Sequence, residues 1–194
     1  MIGEGELAGM LEMTRSLRKG FAGTAPRRWD AATAGAELTV QLGHVAMCLA
    51  RRHGIDVSAF ADPGRPITDA GDELADVALA LLSIGVLSDG PPSLVPSGPA
   101  GAAVSEIEAL LVLLICAGQA AEAGLVRTGY RHQPTGSPAP VPQACGTALH
   151  ATDHRPGSST WISPGSSQRC IGTRSDSCPP IRAEISHDAA STLW

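Results

Sequence analysis

The segment that most restricts how this chain can fold is Ile67 to Leu87, ITDAGDELADVALALLSIGVL. Four acids, Asp69, Asp72, Glu73 and Asp76, fall within eight residues there, and an almost unbroken apolar run follows. A helix sets Asp69, Glu73 and Asp76 at i, i+4 and i+7, hence on one face. Thr68 is an apt N-cap, and carboxylates in the first turns suit the positive end of the helix dipole. Beyond Asp76 the Leu, Ala, Val and Ile residues cover every side, the mark of a helix enclosed by others. Two readings follow. The acids are either the solvated start of a core helix or a cluster of hard oxygen ligands of the kind Mg²⁺ requires.

The remaining chain divides by composition. Ala and Leu dominate as far as about residue 130, and Pro, Ser, Gly and Thr dominate afterwards. The expected organisation is an N-terminal helix and connector over 1–28, a helical domain over 29–132 and an irregular tail over 133–194. A net charge of −5 leaves no basic face for a nucleic-acid polymer. The start MIGEGELAG lacks the basic and apolar regions of a secretory signal. The apolar run Ala109 to Ala117 is too short to span a bilayer, so no membrane partner is expected. Five unevenly placed cysteines argue against a disulfide framework. A cytoplasmic protein is the expectation.

In chain order, Glu4 to Lys19 carries a thin stripe of Leu7, Met10, Leu11 and Leu17. Gly3, Gly5 and Gly9 weaken it, so a marginal helix docked on something else is expected. The next helix opens at Trp29-Asp30, with Asp30 or Thr33 as cap. It runs on Leu38, Leu42, Val45 and Leu49, and stops at Gly54 behind the basic trio Arg51, Arg52 and His53. Its opposite face carries Glu37, Gln41, His44 and Cys48. A turn-rich loop, IDVSAFADPGRP, leads to the acid-bearing helix, predicted over Thr68 to Leu87. A fourth helix is predicted over Ala102 to Thr128, where Gly118 and Gly124 suggest close helix contact, within the bundle or across a dimer. About four helices with short connections make an all-α, antiparallel bundle the natural architecture. From Gly129 onward no period of two or 3.6 is sustained, so roughly fifty to sixty residues of irregular or disordered chain are expected.

Gln41-x-x-His44 on one helix, a loop, then Glu73-x-x-Asp76 on the next resembles the MazG-like, all-α nucleoside triphosphate pyrophosphohydrolases. In that family two glutamates three apart precede Glu-x-x-Asp on the antiparallel neighbour. The likeness covers roughly residues 27–132 and extends to the apolar surround LADVALALLSIGVL. It implies a homodimer or higher homo-oligomer that cleaves a nucleoside triphosphate to the monophosphate and pyrophosphate with Mg²⁺, or Mn²⁺. Carried over by position, Glu73 and Asp76 match the second pair and would serve as catalytic and metal-binding carboxylates. The first pair departs from the pattern, since Gln41 and His44 stand where glutamates are expected. A Gln oxygen is a neutral ligand and His favours softer metals. Glu37, one turn before Gln41, is positioned to compensate. The resemblance therefore implies either an active hydrolase with metal ligands Glu37, Gln41, His44, Glu73 and Asp76, or a degenerate relative using the bundle for binding or assembly.

Weaker candidates each have a plainer explanation. Trp29 could stack on a base or simply anchor packing. Arg127, Arg131 and His132 could meet phosphate oxygens, or complement the dipole at a helix C-terminus. Cys145, His150, His154, Cys170 and Cys178 are metal-ligand types, but no C-x-x-C anchors them. No phosphate loop, nucleophile elbow or dinucleotide fingerprint is present.

Overall fold

The computed structural model describes residues 3–24, 28–88, 90, 92–93, 105–130 and 136–153. Among them the fold is an all-α bundle of α1 (Glu4–Ala22), α2 (Ala31–Arg52), α3 (Ala70–Leu87), α4 (Glu106–Arg127) and α5 (Val141–Asp153). The expected architecture holds, with one helix more than predicted.

α3 is the axis. From Val77 to Gly85 every residue is buried, as the all-round apolar sequence requires. α2 makes the most extensive pairing with α3, α1 packs chiefly on α3 among the described helices, and α5 bridges α3 and α4. α2 and α3 run antiparallel: Cys48 clusters with Ile67 and Ala70 at one end, His44 meets Glu73 further along, and Gln41 and Asp76 line one cavity beyond them.

Local chemistry sets the helix ends. Asp30 caps α2 by accepting from Thr33 N while Thr33 Oγ1 accepts from Asp30 N, a reciprocal capping box. At the other end Gly54 takes φ 74°, and Gly54 N and Ile55 N donate to Arg51 O and Ala50 O. These two bonds form the Schellman stop expected of that glycine. α3 is capped by Asp69, whose carboxylate accepts from Gly71 N, not by Thr68. Asp69 directly precedes Ala70, the first helical residue, and so holds the N-cap position, with Thr68 one residue outside it. α4 is capped by Ser105 and runs from Glu106, against the predicted start at Ala102, and it closes with a second Schellman turn at Gly129.

One expectation holds and one is corrected. The helix expected over Glu4 to Lys19 is α1, 19 residues long and docked on α3, with Leu7, Leu11 and Thr14 buried. The irregular tail predicted from residue 133 contains α5, whose Val141, Ala144, Cys145, Ala148, Leu149 and Ala151 are all core. The pattern was obscured because its inner face consists mostly of small residues. Gly146 lets the preceding chain cross this helix: a Cβ there would lie 1.9 Å from Ser93 O. The remainder of the predicted tail, 154–194, lies outside the described residues.

α4 shows two faces. Gly124 packs inward, where a Cβ would lie 3.1 Å from Ile84, so its role is contact within the chain. Ile107, Leu111, Leu114 and Ile115 face outward. Among the described residues α4 is the one helix long and apolar enough to cross a membrane, although 39% of that stretch is buried in the bundle.

Candidate functional site

The polar stripe of α2 faces α3, and its members bond to one another and across the seam. Gln41 is 1% exposed, and its Nε2 donates to Glu37 Oε1 at 2.8 Å. The Nδ1 of His44 lies 3.0 Å from Gln41 Oε1 and 3.0 Å from Glu73 Oε2. Both neighbours are acceptors in this network, which puts the proton on Nδ1 and fixes the Gln41 amide with its nitrogen toward Glu37. Glu37, Gln41, His44 and Glu73 thus form one continuous hydrogen-bonded chain. Burial, with Asp76 adding its charge, raises the pKa of Glu73 above the ordinary carboxyl range, while His44 opposes the shift.

Beside this chain opens a cavity of about 250 Å³ between α1, α2 and α3. Its lining combines the polar Glu37, Gln41 and Asp76, the apolar Leu79 and Ala80, and Arg18 with the rings of Phe21 and Trp29. Arg18 Nε donates to Ser83 Oγ at 2.8 Å, and Ser83 in turn donates to Leu79 O. The guanidinium lies 4.5 Å from the Trp29 ring centroid and 5.8 Å from that of Phe21, within cation–π range of both.

Four predicted residues, Trp29, Glu37, Gln41 and Asp76, therefore line one cavity, and His44 and Glu73 stand one turn along the same seam. Arg127 does not join them; it is exposed at the end of α4. Arg131 and His132 lie outside the described residues. The basic trio is spent on helix ends: Arg51 reaches Ile67 O, while Arg52 and His53 meet Glu106 at the start of α4. Cys145 is a core residue whose thiol burial pushes up to about 12, which removes it from ligand chemistry. His154, Cys170 and Cys178 are outside the described residues.

Arg18 and Phe21 were not anticipated. The signal was present: residues 7, 11, 14 and 18 follow a helical register, so the stripe that docks Leu7, Leu11 and Thr14 on α3 also delivers Arg18. An arginine closing an apolar stripe is easily taken for a solvated end.

The donor set does not fit Mg²⁺ as placed. Among the described residues no group of three His, Cys, Asp or Glu side chains is arranged to hold a metal ion. Gln41 turns its nitrogen to Glu37, and His44 presents an N–H rather than a lone pair to Glu73. Neither supplies an anionic oxygen, where a hard dication needs several of them converging.

The fold and site define a helical protein with a small amphipathic cavity beside a buried polar chain. Comparison with protein-family models, with curated proteins and with solved structures finds no match to this chain.

Proposed function

We propose that this protein is a non-hydrolytic relative of the MazG-like pyrophosphohydrolases that binds a nucleotide in the α1–α2–α3 cavity. The observation that carries the reading is the Glu37–Gln41–His44–Glu73 chain. Residues at the family's metal positions satisfy each other's hydrogen bonds, while two rings and a guanidinium share the lining of the adjoining cavity. A cytoplasmic location, where nucleotides are abundant, accords with this role. Purified full-length protein should be stabilised against heat by a nucleotide in EDTA, yet release no pyrophosphate from nucleoside triphosphates with Mg²⁺ or Mn²⁺.

The second reading is an active, metal-dependent pyrophosphohydrolase with Glu73 and Asp76 as its catalytic pair. Its support is that Glu37, Glu73 and Asp76 border one seam. Pyrophosphate release that disappears in both Glu73→Ala and Asp76→Ala would establish it over the first.

Homodimerisation goes with either reading, supported by the outward face of α4. Ile107, Leu111, Leu114, Ile115 and Gly118 follow one helical stripe. Two antiparallel copies would set Ile107 against Gly118 and Leu111 against Leu114, a large-to-small match in which Gly118, with open space about it, receives the isoleucine. Such a stripe is short of the roughly 800 Å² per partner of a stable interface, so it would form the apolar centre of a larger contact. Light scattering should give a dimer mass that falls to a monomer in Leu111→Glu; a monomeric wild type would withdraw the pairing.

A further inference from the structure

Resting on the binding reading, we infer that the cavity takes the donor edge of a guanine-type base and leaves sugar and phosphates at its mouth. The size points to one ring system. At 250 Å³ the cavity falls below the ~300–1,000 Å³ of pockets that enclose whole drug-sized ligands, and a nucleoside triphosphate exceeds it.

Charge selects which end of the ligand enters. The lining contributes two carboxylates, Glu37 and Asp76, against one guanidinium, Arg18. A phosphate entering first meets more negative than positive charge, whereas N–H groups meet acceptors. Glu37 uses Oε1 for Gln41, and a carboxylate has about four acceptor sites, so engaged carboxylates still accept further donors.

Shape selects among bases. The cavity already houses a planar nitrogen fork, the Arg18 guanidinium, laid over an indole and sharing a lining with two acids. The N1–H and 2-amino group of guanine repeat that fork on a neutral ring and match one carboxylate with two parallel hydrogen bonds. Adenine, cytosine and uracil place an acceptor beside a donor on that edge, which would set a lone pair against the carboxylate. The Trp29–Arg18–Phe21 layer supplies the surface on which the ring lies.

Isothermal titration of the full chain in EDTA with guanosine, inosine, adenosine and GTP tests this. Guanosine should bind about tenfold or more tighter than inosine, which lacks only the 2-amino group, because one hydrogen bond to a charged acceptor is at stake. Adenosine should bind more weakly still, because inosine keeps the N1–H donor that adenosine replaces with a lone pair, and GTP should bind no tighter than guanosine. Glu37→Gln or Asp76→Asn should erase the guanosine–inosine gap, with circular dichroism confirming the helical fold. Equal affinity for guanosine and inosine overturns the inference, as does a gap that survives both variants. GTP binding tenfold tighter than guanosine overturns it too, while leaving the nucleotide reading in place. Silence with all four ligands removes both.

Discussion

The α2–α3 seam and the α4–α5 seam are built from the same helical geometry and opposite chemistry. Between α2 and α3, Gln41, His44 and Glu73 occupy positions that aliphatic side chains would fill more simply, and each is held by a specific hydrogen bond. Between α4 and α5, Ala117, Ala120, Ala144, Cys145 and Ala148 pack without polar atoms beyond weak thiols. Small residues let backbones approach and leave nothing to titrate or bind. Buried polar groups cost stability unless fully paired, so their concentration on one seam marks where the fold gives up apolar packing for a hydrogen-bonded chain.

Removing one side of the apolar seam is the severest way to break this contrast. A chain ending at Pro140 loses α5 and exposes core positions on α3 and α4. Losing six core positions at about 0.8 kcal/mol per buried methylene approaches the whole stability of a domain. Far-UV circular dichroism should show no cooperative melting. A truncated protein that still melts cooperatively near the full-length temperature would mean that α5 is an ornament.

Gly146→Ala probes the same seam at one atom. The new methyl would meet the Ser93 carbonyl oxygen at 1.9 Å, and Ser93 is held there by its own N–H bond to Pro142 O. Overpacking of this kind costs about 1–3 kcal/mol, which calorimetry should register as a melting temperature lower by several degrees. On the polar seam, His44→Ala withdraws the donor shared by Gln41 and Glu73. It should cost about 1–3 kcal/mol, the penalty of a buried acceptor left unmade. If His44→Ala proves neutral, the hydrogen-bonded chain is not holding the seam together.

The two seams were unequally legible in the sequence. The α2–α3 pairing announced itself because Glu37, Gln41, His44 and Cys48 recur at helical spacing, and the acids of α3 precede an apolar run. The α5 helix was hidden because Ala, Gly, Thr and Cys carry little periodic contrast, and the Pro-rich approach to it reads as loop. The cap of α3 fell on Asp69 because two adjacent residues can both cap, and only backbone geometry chooses. Arg18 was hidden differently: its register was visible, but the cavity it enters is made by three helices and no single stretch encodes it.

The finest test separates the seams by pH. Glu73 has its pKa raised above the ordinary 4.5, chiefly by burial, so the folded protein holds that proton more tightly than the unfolded chain does. Its contribution to stability is therefore full below pH 4.5 and declines as pH rises through that value toward the folded one. Glu73→Gln keeps an acceptor for His44 Nδ1 but cannot ionise. The difference between the wild-type and variant melting curves should thus shrink the wild type's advantage steadily above pH 4.5 and then level off. No apolar-seam substitution should alter that slope, since Cys145, pushed up to about 12, stays protonated throughout the range. Parallel curves for wild type and Glu73→Gln would mean that His44 already compensates the buried charge in full. The polar seam would then be as indifferent to pH as the apolar one.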